Sequence, residues 1–145
     1  MKVERNILIA AQPARVWQAW VSEMGAWWTE PYYMDAERVT GMNIEPRLGG
    51  LFVEQWGKDA GYLLGHVIEW LPPERLTCTW TEKGWAGIFT TVRLELRSEG
   101  AGTHVSLIHD GFEHLPDGAE QSRSYEGGWD DLLGKLKAHV EKRKK

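Results

Sequence analysis

Two residues of this chain pair an ionisable side chain with a position that turns it inward: Glu54 and His109. Along Leu51–Trp56 alternate residues share a strand face, so a buried Phe52 takes Glu54 and Trp56 with it. Along Thr103–Asp110 a buried Val105 and Leu107 take His109 the same way. Neither group tolerates burial as a lone ion; each must shift its pKa or find a partner. Two arrangements fit. In the first, carboxylate and imidazole face each other or a ligand and move a proton between them. In the second, both lie near the mouth of a cavity, wetted or satisfied by backbone, and this is the expected one. A bulge in either strand would reverse the parity.

The other reactive residue types carry less. Cys78 alternates with Leu76 and Trp80 on an apolar face and reads as a small core residue rather than a nucleophile. His66, His104, His114 and His139 are scattered without a ligand spacing, so neither a metal nor any other cofactor is expected. Gly49-Gly50 opens a strand and lacks the Gly-Lys-Ser/Thr ending of a phosphate loop. The serines, among them Ser22, Ser98, Ser106, Ser122 and Ser124, sit in no nucleophile elbow. No catalytic residue is assigned beyond the candidates Glu54 and His109, and the chain reads as more of a binder than an enzyme.

Composition narrows the partners. A net charge of −4 and a pI near 5.7 argue against nucleic acid, which needs a basic face. The run Lys142–Lys145 reads as a complement to a helix dipole, not a docking patch. No run approaches the ~20 apolar residues of a membrane span, and the first five residues hold no apolar signal core. One cysteine excludes an internal disulfide, so a cytoplasmic setting is expected. The 145 residues suit a single domain. Nine tryptophans exceed what a core of that size comfortably fills, so some are expected to line a cavity or its rim.

The elements that must position these groups follow from periodicity. Tyr125, Trp129, Leu132, Leu133, Leu136 and Val140 form one stripe of a helix spanning Ser122–Lys144. Val3, Arg5, Ile7 and Ile9 share a face of a first strand, and Pro13 opens a helix with Val16, Trp17 and Trp20 buried, with Gly25 ending that helix or the short turn that follows it. Trp27–Tyr33 is an aromatic, Pro-broken segment that reads as a lid. Strands are expected at Arg38–Pro46, Leu51–Trp56, Tyr62–Leu71, Arg75–Thr81, Ile88–Ser98 and Thr103–Asp110, with a loop through Pro116–Gly118 before the long helix. The order is a strand, two short helices, a run of antiparallel strands, then one helix.

A set of motifs recurs in that order: Ile9-Ala10-Ala11-x-Pro13-x-x-Val16-Trp17, Gly49-Gly50-x-Phe52, Gly65-x-Val67, Pro72-Pro73-x-Arg75-Leu76, Trp80, Gly102-Thr103-x-Val105, His109-x-Gly111-Phe112 and Gly128-Trp129. Over nearly the whole chain they resemble the bacterial homologues of the C-terminal domain of the heat-shock-protein-90 ATPase activator. Those proteins belong to the START-like (SRPBCC), polyketide-cyclase-related superfamily. The resemblance implies an α+β helix-grip fold like that of the birch-pollen allergen, a curved antiparallel sheet wrapped around a long C-terminal helix. It implies a cavity between the two, and with strand parity nominates Trp28, Tyr33, Phe52, Glu54, Trp56, Cys78, Trp80, Trp85, His109, Tyr125 and Trp129 as its lining.

Three functions follow in order of expectation. The first is binding of a small apolar or aromatic molecule, a lipid fragment or polyketide-like metabolite, in that cavity. The second is a cyclase- or hydrolase-like reaction using Glu54 and His109. The third is co-regulation of a chaperone ATPase, ranked last because the eukaryotic activator resembles a two-domain protein and this chain corresponds to its second domain. Superfamily members often pair through sheet edges or helices, so the resemblance also admits a homodimer.

Overall fold

The computed structural model describes residues 1–142. Seven strands form one antiparallel, curled sheet: β1 (Lys2–Ile9), β2 (Gly41–Ile44), β3 (Leu51–Trp56), β4 (Ala60–Leu71), β5 (Arg75–Trp80), β6 (Thr90–Glu99) and β7 (Gly102–Asp110). Their order across the sheet is β1-β7-β6-β5-β4-β3-β2. Helices α1 (Pro13–Ser22) and α2 (Met24–Trp27) follow β1, and the long α3 (Gly118–Glu141) closes the chain. Sheet, long helix and short helices are those of the helix-grip arrangement.

Local chemistry accounts for the elements. Pro13 sits at the first turn of α1, where its missing N–H costs nothing, and Val16, Trp17, Ala19 and Trp20 form the buried side. Gly25 lies inside α2 rather than ending α1. The β6–β7 hairpin closes Glu99 onto Gly102, with Gly100 at φ +60° between them. β2 is shorter than the expected Arg38–Pro46, because the Asp35 carboxylate accepts from the Glu37 and Arg38 N–H groups and ties that stretch into a turn. β6 starts at Thr90, not Ile88.

α3 begins four residues before the expected Ser122, at Gly118. Its apolar stripe starts only at Tyr125, so the first turns carry no amphipathic signal. The expected end at Lys144, and with it the basic run Lys142–Lys145, lies largely outside the described residues. Trp129, Leu132, Leu133 and Leu136 are buried against β1, α1 and α2. At about 2 kcal/mol per buried side chain these four contribute at most about 8 kcal/mol to docking. Arg5 of β1 reaches Glu126 and Asp130 of α3 at 3.3 and 3.0 Å. Glu23, after α1, joins Arg15 and His139 at 2.7 Å each. Such exposed pairs are worth less than ~1 kcal/mol apiece and mainly set the helix's position along the sheet.

The curl has a steric requirement at Gly65. A Cβ there would lie 1.9 Å from the backbone carbonyl oxygen of Thr79. That atom belongs to β5 and cannot swing away. Register shifts flank the same region, between Phe52 and Val53 on β3 and between Val67 and Glu69 on β4. Gly65→Ala should therefore lower unfolding free energy by about 1–3 kcal/mol, the overpacking range, as measured by urea denaturation; an unchanged midpoint would contradict the close approach.

Candidate functional site

Between β5, the Trp28–Met34 segment and α3 the molecule leaves a hollow of about 210 Å³. Six aromatic side chains wall it: Trp28, Tyr32, Tyr33, Trp80, Tyr125 and Trp129. Ring centroids stand 6.0 Å apart for Trp28–Trp80, 5.9 Å for Trp28–Trp129 and 6.4 Å for Trp80–Trp129. Pro31, Met34, Leu132 and Gly128 complete the apolar wall, and Glu82, Gln121 and Ser124 are its other polar residues.

The aromatic donors of this wall are spent on the protein itself. Trp28 Nε1–H donates to the Tyr32 carbonyl at 2.7 Å, and the Tyr33 hydroxyl donates to the Trp28 carbonyl. The Tyr32 hydroxyl donates to Asp131 at 2.7 Å. Burial, then that carboxylate, push the Tyr32 phenol up to about 12. Trp80 Nε1–H donates to the Tyr125 hydroxyl at 2.7 Å, and Tyr125 donates onward to Glu82 Oε2 at 2.7 Å. Burial and the neighbouring Glu82 charge hold the Tyr125 phenol well above its ordinary value. Glu82 is itself raised by burial, with the Tyr125 hydrogen bond opposing.

His109 is fully buried, and its protonation follows from its neighbours. Trp129 Nε1–H points at Nδ1 from 3.0 Å, and an indole nitrogen only donates, so Nδ1 carries a lone pair. The proton is then on Nε2, donated to Thr90 Oγ1 at 2.7 Å, and the Thr90 hydroxyl passes its own proton to the Trp80 carbonyl at 3.1 Å. Burial lowers the His109 pKa to about 3. A cationic ring would also set an N–H against the Trp129 N–H. The imidazole is neutral and has no free lone pair, so it is not available as a base.

Glu54, 1% exposed, is satisfied separately. One oxygen accepts from the Met34 N–H, the other from the Asp35 N–H at 2.9 Å and from Trp56 Nε1–H at 2.7 Å. It clasps the segment that roofs the hollow onto β3. Trp56 in turn lies under the Arg38 guanidinium, 4.8 Å from its ring centroid.

The sequence model of one family, activator of Hsp90 ATPase homolog 1-like protein, matches residues 10–141. The chain belongs to that family. No curated protein sequence matches it. Among solved structures it is similar to MLL2253 from Mesorhizobium loti, with 21% identity, 94% of each chain covered and a TM-score of 0.71. It is similar also to CalU16 from Micromonospora echinospora, at 23% identity and TM-score 0.64 over 97% of this chain and 76% of that one. The Aha1 dimer from Colwellia psychrerythraea matches at 18% identity and TM-score 0.71, over 97% of this chain and 96% of that one. At these identities the likeness is one of fold.

Set against that fold, the expected lining divides. Trp28, Tyr33, Trp80, Tyr125 and Trp129 line the hollow. Phe52, Glu54, Trp56, Cys78, Trp85 and His109 do not. Parity placed Glu54 and His109 inside correctly, at 1% and 0% exposure. They share no hydrogen bond, however, and neither lies at the cavity mouth as expected: backbone N–H groups and Trp56 hold Glu54, and the side chains of Trp129 and Thr90 hold His109. Burial pushes the Cys78 thiol up to about 12, which leaves it unreactive. Trp27, Trp28 and Trp85 are buried core rings, so the expected lid is in part a wall of the core. Glu82, Met34, Pro31, Gln121, Ser124, Gly128 and Leu132 escaped sequence reasoning. Glu82 and Met34 lie in connecting segments without periodicity, and only the aromatic Trp27–Tyr33 run hinted at a cavity wall nearby. Among the described residues no cluster of His, Cys, Asp or Glu is placed to hold a metal, and no helix is long and apolar enough to cross a membrane.

Two outcomes follow. In NMR, His109 should show the Nε2–H tautomer and no titration between pH 8 and 5; a shift with midpoint near 6.5 would contradict its environment. Because its folded pKa lies below the unfolded ~6.5, the unfolded state binds the extra proton, so stability is complete above ~6.5 and drains as pH falls toward 3, by up to ~1.4 kcal/mol per pH unit. Glu54→Gln sets an NH2 against N–H donors and should destabilise by about 2–3 kcal/mol. Faster amide hydrogen exchange confined to residues 29–40 would report the loosened roof.

Proposed function

We propose that this chain binds a small apolar or aromatic molecule in the hollow between sheet and α3. The observation that supports it is the six-ring wall around about 210 Å³, in a core whose other large side chains pack closed. An apolar cavity of ~150 Å³ suffices for benzene, so this one suits a single ring with a short substituent rather than a long acyl chain. About eight atoms at ~0.5 kcal/mol each give roughly −4 kcal/mol, an affinity on the order of 1 mM before any polar contact.

The reading as a cyclase or hydrolase through Glu54 and His109 ranks lower, since both groups have their proton-accepting sites occupied. Co-regulation of a chaperone ATPase rests on the family description alone. The dimeric Colwellia relative supports self-association, and the single free, buried Cys78 fits a cytoplasmic setting.

Gly128 offers a direct test. It lines the hollow from within α3, and a Cβ there meets only the Tyr32 ring, at 3.4 Å. Gly128→Leu should fill the hollow while replacing a poor helix former, a gain of up to about 1 kcal/mol in propensity. Indole titrated into the unsubstituted protein should shift the Trp28, Trp80 and Trp129 indole N–H resonances. In the folded variant its affinity should fall at least tenfold. Indole that binds both proteins equally, or neither, removes the reading.

A further inference from the structure

The aromatic donors of the hollow are spent, and the one charged group left open in it is a hydrogen-bond acceptor. Every phenol and indole donor of the wall is committed internally: Trp28 to Tyr32, Tyr32 to Asp131, Tyr33 to Trp28, Trp80 to Tyr125, Tyr125 to Glu82 and Trp129 to His109. One N–H of the Gln121 amide donates to Asp117 at 3.0 Å, leaving its carbonyl oxygen and its second N–H. Glu82 uses Oε2 for Tyr125, and Oε1 receives no hydrogen bond among the described residues. The Ser124 hydroxyl, exposed at the rim, can serve either way.

The charge of the lining points the same way. Glu82 is its single ionisable carboxylate, and no Lys, Arg or His is among the lining residues. The adjacent Lys83 reaches the Met34 carbonyl at 3.4 Å and lies over Trp56, and it makes no ion pair with Glu82. Lys135 is engaged with Asp131 at 3.5 Å. Glu82 is thus a half-buried acid without an ion-pair partner, next to rings whose faces attract cations. An anion entering this space would meet a carboxylate and no cation, with only the neutral donors of Gln121 and Ser124 to receive it.

We propose that the hollow selects a small ammonium compound, an aromatic or apolar body whose N–H group is received by the open oxygen of Glu82. This rests on the binding reading given above and specifies its ligand class. Scaling from the ~150 Å³ that hold benzene's six carbons, the body has about eight non-hydrogen atoms. Carboxylates of the same size are rejected, and neutral alcohols bind between the two.

Benzylamine, benzyl alcohol and benzoate share a ring and differ in charge, and benzylamine is cationic at pH 7. In calorimetric or NMR titrations of the full chain, benzylammonium should bind at least tenfold more tightly than benzyl alcohol, with benzoate weaker still. In E82Q, its fold checked by circular dichroism, the amine-to-alcohol ratio should collapse to near one. Benzoate or benzyl alcohol binding as tightly as the amine overturns this inference and leaves the binding reading standing, as does a ratio unchanged in E82Q. Failure of all three to bind overturns both. The unsubstituted protein's series decides the matter by itself should E82Q not fold.

Discussion

The indole N–H is the constraint that organises this interior. A buried tryptophan contributes a large apolar surface but brings one donor that must be met. Trp27 finds the Ala19 carbonyl, Trp28 the Tyr32 carbonyl, Trp56 the Glu54 carboxylate, Trp80 the Tyr125 hydroxyl and Trp129 the His109 ring. Glu54, His109 and Tyr125 look like reactive groups in a list of residues; in place, each accepts a tryptophan's hydrogen bond. The buried Trp85 is the exception, its N–H meeting no acceptor among the described residues.

That arrangement explains how far the sequence was legible. Period-two alternation put Phe52, Glu54, Val105, Leu107 and His109 on inward faces, and all are buried. Alternation says nothing about what a side chain meets there. The Trp129–His109 bond joins α3 to β7 across twenty residues of chain, and no spacing rule predicts it. The long helix was legible from Ser122, just ahead of the stripe Tyr125, Trp129, Leu132, Leu133 and Leu136, and illegible over residues 118–121, which lie before that stripe. Glu82 was invisible for another reason. It sits on a loop, and its importance comes from the hydroxyl of Tyr125 reaching it from α3.

Family membership and fold constrain the container more than its contents. Relatives at 18–23% identity keep the sheet and the long helix. The hollow of this chain depends on side chains: on Gly128, which leaves space beneath Tyr32, and on the Glu54 clasp that holds Met34 and Asp35 in the roof. Backbone similarity at that level says nothing about either.

Trp129 both walls the hollow and occupies the lone pair of His109. A side chain of similar girth without an N–H at that position would leave the Nδ1 lone pair unmet in a dry interior, because burial alone already keeps the imidazole neutral. The ring that bounds the empty space is thus also the one that lets a histidine sit fully inside the protein, so the two features can only be altered together.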